Sequence, residues 1–247
     1  MEIHVQSVGI DGAHGPLLEP TSLRVRTGEL ALVAGEPGTG HTAFALAMGG
    51  RMRPSVGSVL LDGQADDAGL RRRVAIVDAP DVSTPEEALS LGAVIGEELA
   101  FAKQPANRKA VADWLLKHDS RDHATTRFES VPAEVRTRLL VEAASQRPGI
   151  EALVLVLPDR HGAGPQTWWT TASKAAEKGL AVVVLCSETS ARLLDLPAGR
   201  LGDRELPETL AFTPQVQEEH HVSELASEPS STAPLAADAP SASEEGL

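Results

Sequence analysis

Tyrosine is absent from this sequence, and aromatic residues make up only 3% of it. A buried interior must therefore be built from Val, Leu, Ile and Ala. Apolar residues supply 42% of the 247 positions, an ordinary globular share, and the length suits one α/β domain followed by a tail. Cysteine occurs once, at Cys186, so no disulfide can form within the chain, which fits a reducing cytoplasm. That thiol ends the apolar run Ala181–Cys186 and is expected to be buried and inert. No apolar run approaches the roughly 18 residues that cross a bilayer. The opening Met-Glu-Ile-His lacks a basic segment followed by an apolar one, so no signal peptide is expected. Membrane association would then come through a partner. Basic charge is scarce, with 22 Lys and Arg against 35 Asp and Glu. The formal charge of -13 argues against nucleic acid, whose binders carry a basic face.

The chain divides by composition. Residues 213 to 247 are rich in Pro, Ser, Ala and Glu, contain no Lys or Arg, and are expected to form an acidic disordered tail. The pair His220–His221 within it reads as solvated. The preceding 1 to 212 alternate strand and helix signals. Ile3–Val8, Ser22–Arg26, Leu30–Ala34, Ser58–Leu61 and Val74–Val77 read as strands. Thr42–Gly49 reads as an Ala-rich helix. Residues from about 85 to 147 are largely helical, over Glu86–Phe101, Arg108–Lys117 and Ala133–Gln146. Leu153–Leu157 and Leu180–Cys186 are continuous apolar runs of the kind buried on both sheet faces, with the helix Thr167–Lys178 between them. This order predicts an α/β fold with a central mixed sheet, flanking helices and an inserted helical subdomain.

One loop carries chemistry. Gly35-Glu36-Pro37-Gly38-Thr39-Gly40-His41-Thr42 fits the pattern G-x-x-x-x-G-K-[ST] except that His41 replaces the lysine. An apolar strand precedes it and the helix Thr42–Gly49 follows. Glycines let the backbone curl so that N–H groups face phosphate oxygens, and the helix N-terminus adds partial positive charge. Thr42 is the candidate Mg²⁺ ligand. A histidine facing polyphosphate gains a proton when the anion arrives, so binding at this loop is expected to tighten as pH falls towards 6.

Together these segments resemble an ABC-transporter ATP-binding subunit, a P-loop NTPase, over roughly residues 1 to 205. Thr27-Gly-Glu-Leu-Ala-Leu-Val-Ala-Gly35 is similar to the stretch that enters the family's Walker A loop. Arg53-Pro-Ser-Val-Gly-Ser-Val-Leu-Leu-Asp-Gly63 is similar to the segment after the P-loop helix. Leu70-Arg-Arg-Arg-Val-Ala-Ile-Val77 is similar to the strand leading to the Q-loop. Acidic, Ala-rich versions with altered motifs resemble ABC-like proteins of high-GC actinobacteria, often paired with a membrane protein. The resemblance implies ATP and Mg²⁺ as ligands, held by Gly35 to Ala43. It also implies an integral-membrane permease or other membrane partner, and a homo- or heterodimer with another ABC-type ATPase. The implied location is cytoplasmic, on the inner face of the membrane.

The family's other functional positions are altered. Ile10–Pro16 offers no aromatic for adenine, and His14 is its only planar group. Asp78-Ala79-Pro80 stands where the Q-loop glutamine belongs. Ser130-Val-Pro-Ala-Glu-Val135, ahead of Arg136 and Arg138, matches the signature stretch but has no glycine. At the second acidic motif two alignments remain open. Either Pro158 and Asp159 occupy the Asp-Glu pair, or Val156 and Leu157 do; in both, one carboxylate is missing. The switch histidine belongs near Ser187, whereas His161 reads as an exposed loop histidine. Three readings follow: a degenerate nucleotide-binding subunit that regulates a membrane complex, a hydrolysing transport ATPase, and a nucleotide-free scaffold. The first accounts best for a retained glycine loop beside altered catalytic motifs.

Overall fold

The computed structural model describes residues 1–212; the acidic tail and His220–His221 lie outside them. Two sheets form the frame. The smaller is antiparallel, in the order β2-β1-β4, from β1 (Glu2–Gly12), β2 (Gly15–Arg26) and β4 (Val56–Leu61). The larger contains β5 (Val74–Val77), β6 (Ala152–Val156), β7 (Ala181–Ser187), β3 (Glu29–Gly35) and β8 (Gly199–Arg200), hydrogen-bonded in that order and parallel. A short antiparallel strand, β9 (Leu210–Ala211), pairs with the start of β3 and makes this sheet mixed.

The continuous apolar runs become the central strands because both faces of the larger sheet are covered. Leu30, Leu32 and Ala34 of β3 pack into one core, while Ala31 and Val33 pack into the other. The second core lies between the two sheets and receives α1 (His41–Met48), which buries Phe44, Ala45, Ala47 and Met48. An Ala-rich helix suits this place because small side chains let it sit close between two sheets. The first core is covered by α6 (Pro165–Glu177), with Trp168 fully buried, and by helices inserted between β5 and β6. Those are α3 (Leu91–Phe101), α4 (Arg108–Lys117) and α5 (Ala133–Ser145).

The expected strands and helices are present, most with shifted ends, while β5 and α4 keep theirs. The helix expected from Glu86 begins at Leu91, because Ser90 caps it by accepting a hydrogen bond from the Ala93 N–H. Two short helices were not anticipated: α2 (Asp67–Arg73) and α7 (Glu188–Leu194). Each is capped by a side chain, Asp66 and Ser187 respectively. Among the described residues no helix is long and apolar enough to cross a membrane.

Candidate functional site

Parallel strand β3 ends at Gly35, in register with Ser187 at the end of β7. The chain then loops through Glu36–Gly40 and re-enters as α1. Gly38 and Gly40 hold left-handed backbone, with φ of 85° and 103°. At Gly40 the requirement is also steric, since a Cβ would lie 2.3 Å from the Leu17 carbonyl oxygen. Gly40 is the N-cap and offers no side chain, so the N–H groups of the first turn, at His41, Thr42 and Ala43, have no side-chain acceptor. Glu36, Pro37, Gly38 and Thr39 are exposed, and Thr42 and Ala43 are half-buried. The loop partly closes on itself, because Thr39 donates both its N–H (3.2 Å) and its hydroxyl (2.7 Å) to the Glu36 carbonyl.

The His41 imidazole does not face the loop opening. It is 4% exposed and its Nε2 lies 3.1 Å from the Cys186 carbonyl oxygen, to which it donates. The strand register explains the placement: Cys186 pairs with Ala34, directly beneath the loop. Burial holds the His41 pKa below its ordinary value, against the weaker opposing pull of the Cys186 carbonyl and the negative charge of Asp159. The ring is therefore neutral at pH 7 and already bonded. This geometry departs from the expectation that His41 meets a phosphate. Glu36 adds a negative charge at the rim, within reach of Glu188 and Arg200, which form an ion pair.

Asp159 is the acid that comes to this neighbourhood. β6 ends at Val156, Leu157 turns with φ 50°, and Pro158–His161 form a short 3₁₀ turn. The turn sends the Asp159 carboxylate to the start of α7. Oδ2 accepts from the Ser187 N–H (2.9 Å), the Ser187 hydroxyl (2.6 Å) and the Ser190 hydroxyl (2.7 Å). Burial raises its pKa, but these hydrogen bonds outweigh burial and leave it below the usual carboxylate range. Oδ1 is buried and accepts nothing.

The first-turn N–H groups, which no side chain caps, and the open space beside Gly38 fit a small phosphate, whereas the Thr39 hydroxyl and the Leu201 and His41 side chains crowd Gly35. Asp159 Oδ1, a buried carboxylate oxygen without a donor, is the kind of atom a hard cation takes. What the loop lacks is a mobile cation, because His41 is withdrawn.

The other positions singled out in the sequence make internal contacts. Asp78, just past β5 with φ 55°, is 7% exposed. Its carboxylate accepts from Arg160 Nη2 (2.7 Å) and His161 Nε2 (3.0 Å), with Arg136 Nη2 at 3.5 Å. Burial raises the Asp78 pKa, yet the His161 hydrogen bond and the charges of Arg160 and Arg136 bring it below the ordinary value. His161, expected to be an exposed loop residue, is thus held in a charged cluster with its side chain 14% exposed. In the stretch matched to the signature, Pro132 precedes α5. Arg136 turns inward onto the Phe128 ring, and Arg138 donates to the His118 carbonyl and the Ser120 hydroxyl. His14 is exposed at the tip of the β1–β2 hairpin. Cys186 is buried and its thiol pushed up to about 12, as expected of an inert core residue.

No protein-family profile matches the sequence. Among curated proteins, ATP-binding cassette sub-family C member 8 of Cricetus cricetus is 27% identical over 140 residues, 56% of this chain and 8% of that protein. Its Rattus norvegicus counterpart is 25% identical over 138 residues, with the same coverage. The chain therefore matches only a small part of these relatives' length. Among solved structures, a nucleotide-free ATP-binding cassette from an ABC transporter superposes with TM-score 0.62 at 13% identity, covering 86% of this chain and 92% of that one. For cbiO1 from Clostridium perfringens, part of the ABC transporter complex cbiONQ, the TM-score is 0.61 at 16% identity, with 83% and 86% covered. A bacterial Atm1-family ABC exporter with ATP bound gives 0.59 at 16% identity, covering 85% of this chain and 38% of that one. The fold is that of a P-loop NTPase of the ATP-binding-cassette class. More narrowly, it is the fold of the ATP-binding subunits of ABC transporters, in agreement with the sequence resemblance.

Proposed function

We propose that the chain is a non-hydrolysing ABC-type subunit that retains a weak phosphate site at Gly35–Thr42 and serves a membrane complex by assembly and regulation. The observation that carries this reading is the placement of His41, buried and bonded to the Cys186 carbonyl instead of facing the loop. Phosphoryl transfer depends on positioned charge around the γ-phosphate. Here the loop brings no cation, and Glu36 adds an anion at its rim. Asp78 and Asp159 are both engaged in internal hydrogen bonds. Backbone N–H groups would hold the phosphates, and the Thr42 hydroxyl would be the ligand offered to Mg²⁺. The magnesium ion would neutralise phosphate charge. A permease or other membrane partner would dock on the helical insertion between β5 and β6, with a second ABC-type ATPase completing the complex.

The test measures both turnover and binding. Purified full-length protein is expected to release no phosphate from ATP above a buffer control, while a fluorescent ATP analogue binds weakly and binds more tightly to Glu36→Gln. Brisk hydrolysis that stops in Asp159→Asn would overturn the reading in favour of an active ATPase. Complete absence of binding, in wild type and Glu36→Gln alike, would overturn it in favour of a nucleotide-free scaffold.

A further inference from the structure

We infer that Asp78 is a pin that fixes the helical insertion to the sheet, so that this subunit does not turn a ligand at the loop into rotation of its helices. The inference rests on the non-hydrolysing reading and supplies its mechanical side.

Three separate stretches of chain meet on this one carboxylate. Asp78 itself leaves the end of β5. Arg160 and His161 come from the turn after β6, 82 and 83 residues away in sequence. Arg136 comes from α5, in the insertion, and is 3% exposed. Arg160 adds further bonds through Nη1, to the Asp78 carbonyl (2.5 Å) and the Val156 carbonyl (2.9 Å), and through Nη2 to the Thr84 hydroxyl (2.8 Å). Both ends of the joint, β5 and β6, are thereby tied to one another and to the loop leading into the insertion.

That loop is itself closed. The Ala79 carbonyl accepts from the N–H groups of Val82 (3.2 Å), Ser83 (3.0 Å) and Thr84 (3.0 Å) and from the Thr84 hydroxyl (2.9 Å). The Ala79 N–H donates to the Ser83 hydroxyl at 3.0 Å. Such a loop has few free torsions and makes a poor hinge. On the insertion side, Arg136 lies over the Phe128 ring, 4.2 Å from its centroid, and faces Glu87 at 3.7 Å. Two arginines, one histidine and two carboxylates thus occupy the joint: Asp78 accepts hydrogen bonds from Arg160 and His161, and holds Arg136, 3.5 Å away, by charge alone. Rotation of α5 would strip Arg136 from a buried anion, which is costly in a low-dielectric environment.

Distance measurement between two spin labels tests the pin. Cys186 is buried, so cysteines introduced at the exposed Arg24 and Lys109 take the labels selectively. One label then reports β2 and the other α4. In the otherwise wild-type full chain, one narrow distance distribution is expected, unchanged by millimolar Mg-ATP. Arg136→Met, which removes only the insertion's arm, is expected to broaden the distribution or add a second peak. Amide exchange should then quicken at least tenfold in residues 85 to 101 and 133 to 137, and remain unchanged in β3, β6 and β7. Asp78→Asn should do the same, and Arg136→Lys gives a charge-conserving second variant should either of the others fail to fold. A broad distribution in the parent, a shift with Mg-ATP, or an equally narrow distribution in Arg136→Met would each overturn the pin. Exchange that quickens uniformly through the chain would also overturn it, since that marks general destabilisation. ATP turnover with a narrow distribution would sink the functional reading alone; a broad distribution without turnover would sink only the pin.

Discussion

At the scale of single residues, His41 and Asp159 are each held by internal hydrogen bonds. His41 lies under the loop because the parallel register of β3 and β7 puts the Cys186 carbonyl within reach of its Nε2. Its pKa is lowered on folding, so between its folded and unfolded values the unfolded chain binds more protons. Stability should therefore rise with pH through that window, and fall as pH drops below about 6.5, the ordinary histidine value. Comparing thermal midpoints of wild type and His41→Gln from pH 7.5 to 5 isolates this contribution; the wild type is expected to lose more over that range. His118 is also held low by burial, so a smaller decline should persist in the variant. Parallel pH profiles for the two proteins would contradict the buried, neutral ring. The same ring shows where sequence reading ended. The glycine spacing and Thr42 mark the loop plainly, but the direction of a histidine side chain depends on a carbonyl 145 residues away.

Helices and strands were legible wherever burial imposes a pattern. β5 and α4 have the ends expected from sequence, because apolar content or helical periodicity stops sharply at both. The helices α2 and α7 escaped notice because each has seven residues, too few to establish a periodic face, and is rich in polar groups. Their signals were the caps alone. Asp66 accepts from the Gly69 N–H at 2.7 Å, and α2 ends in three arginines that complement its dipole. Caps also set the entry to the insertion. Ser90→Ala removes the acceptor for the Ala93 N–H at the start of α3 and is expected to cost about 1 kcal/mol. A urea titration would register this as a lower midpoint with an unchanged slope. A variant with the wild-type midpoint would mean that the cap is redundant with the packing of Leu91, Val94 and Ile95.

For the molecule as a whole, α/β class and insertion could be read from the order of strands and helices, whereas the strand order and the charged joint could not. Both depend on pairing between distant segments. Asp78, Arg160 and His161 each stand in an ordinary-looking turn, and Arg136 lies on an otherwise amphipathic helix. The joint makes a prediction about acid. Asp78 and Asp159 both titrate below the ordinary carboxylate value in the folded chain. The stability they contribute is fully present above the unfolded value near 4 and is lost as pH falls through the lower folded values. Acid unfolding followed by circular dichroism should therefore show a steep loss below about pH 4. Asp78→Asn is expected to be less stable by about 3 kcal/mol at pH 7, because it removes the buried anion that Arg160, His161 and Arg136 share. It should also show a shallower acid transition. An acid profile unchanged by the substitution would mean that Asp78 is not ionised in its cluster.

The rim of the smaller sheet has a consequence for behaviour at high concentration. β2 is its outer strand and, at 12 residues, would ordinarily invite a neighbouring chain to extend the sheet. Pro16 and Pro20 deny that neighbour two N–H donors, and Pro20 stands where the pairing with β1 slips register. Arg24 and Arg26 would put like charges opposite one another in any antiparallel duplicate in which they meet. The chain's own bonds complete the guard, since the Ser22 N–H donates to the Asp203 carbonyl and the Arg26 N–H to the Glu29 carboxylate, so this rim offers little template for fibre-like growth.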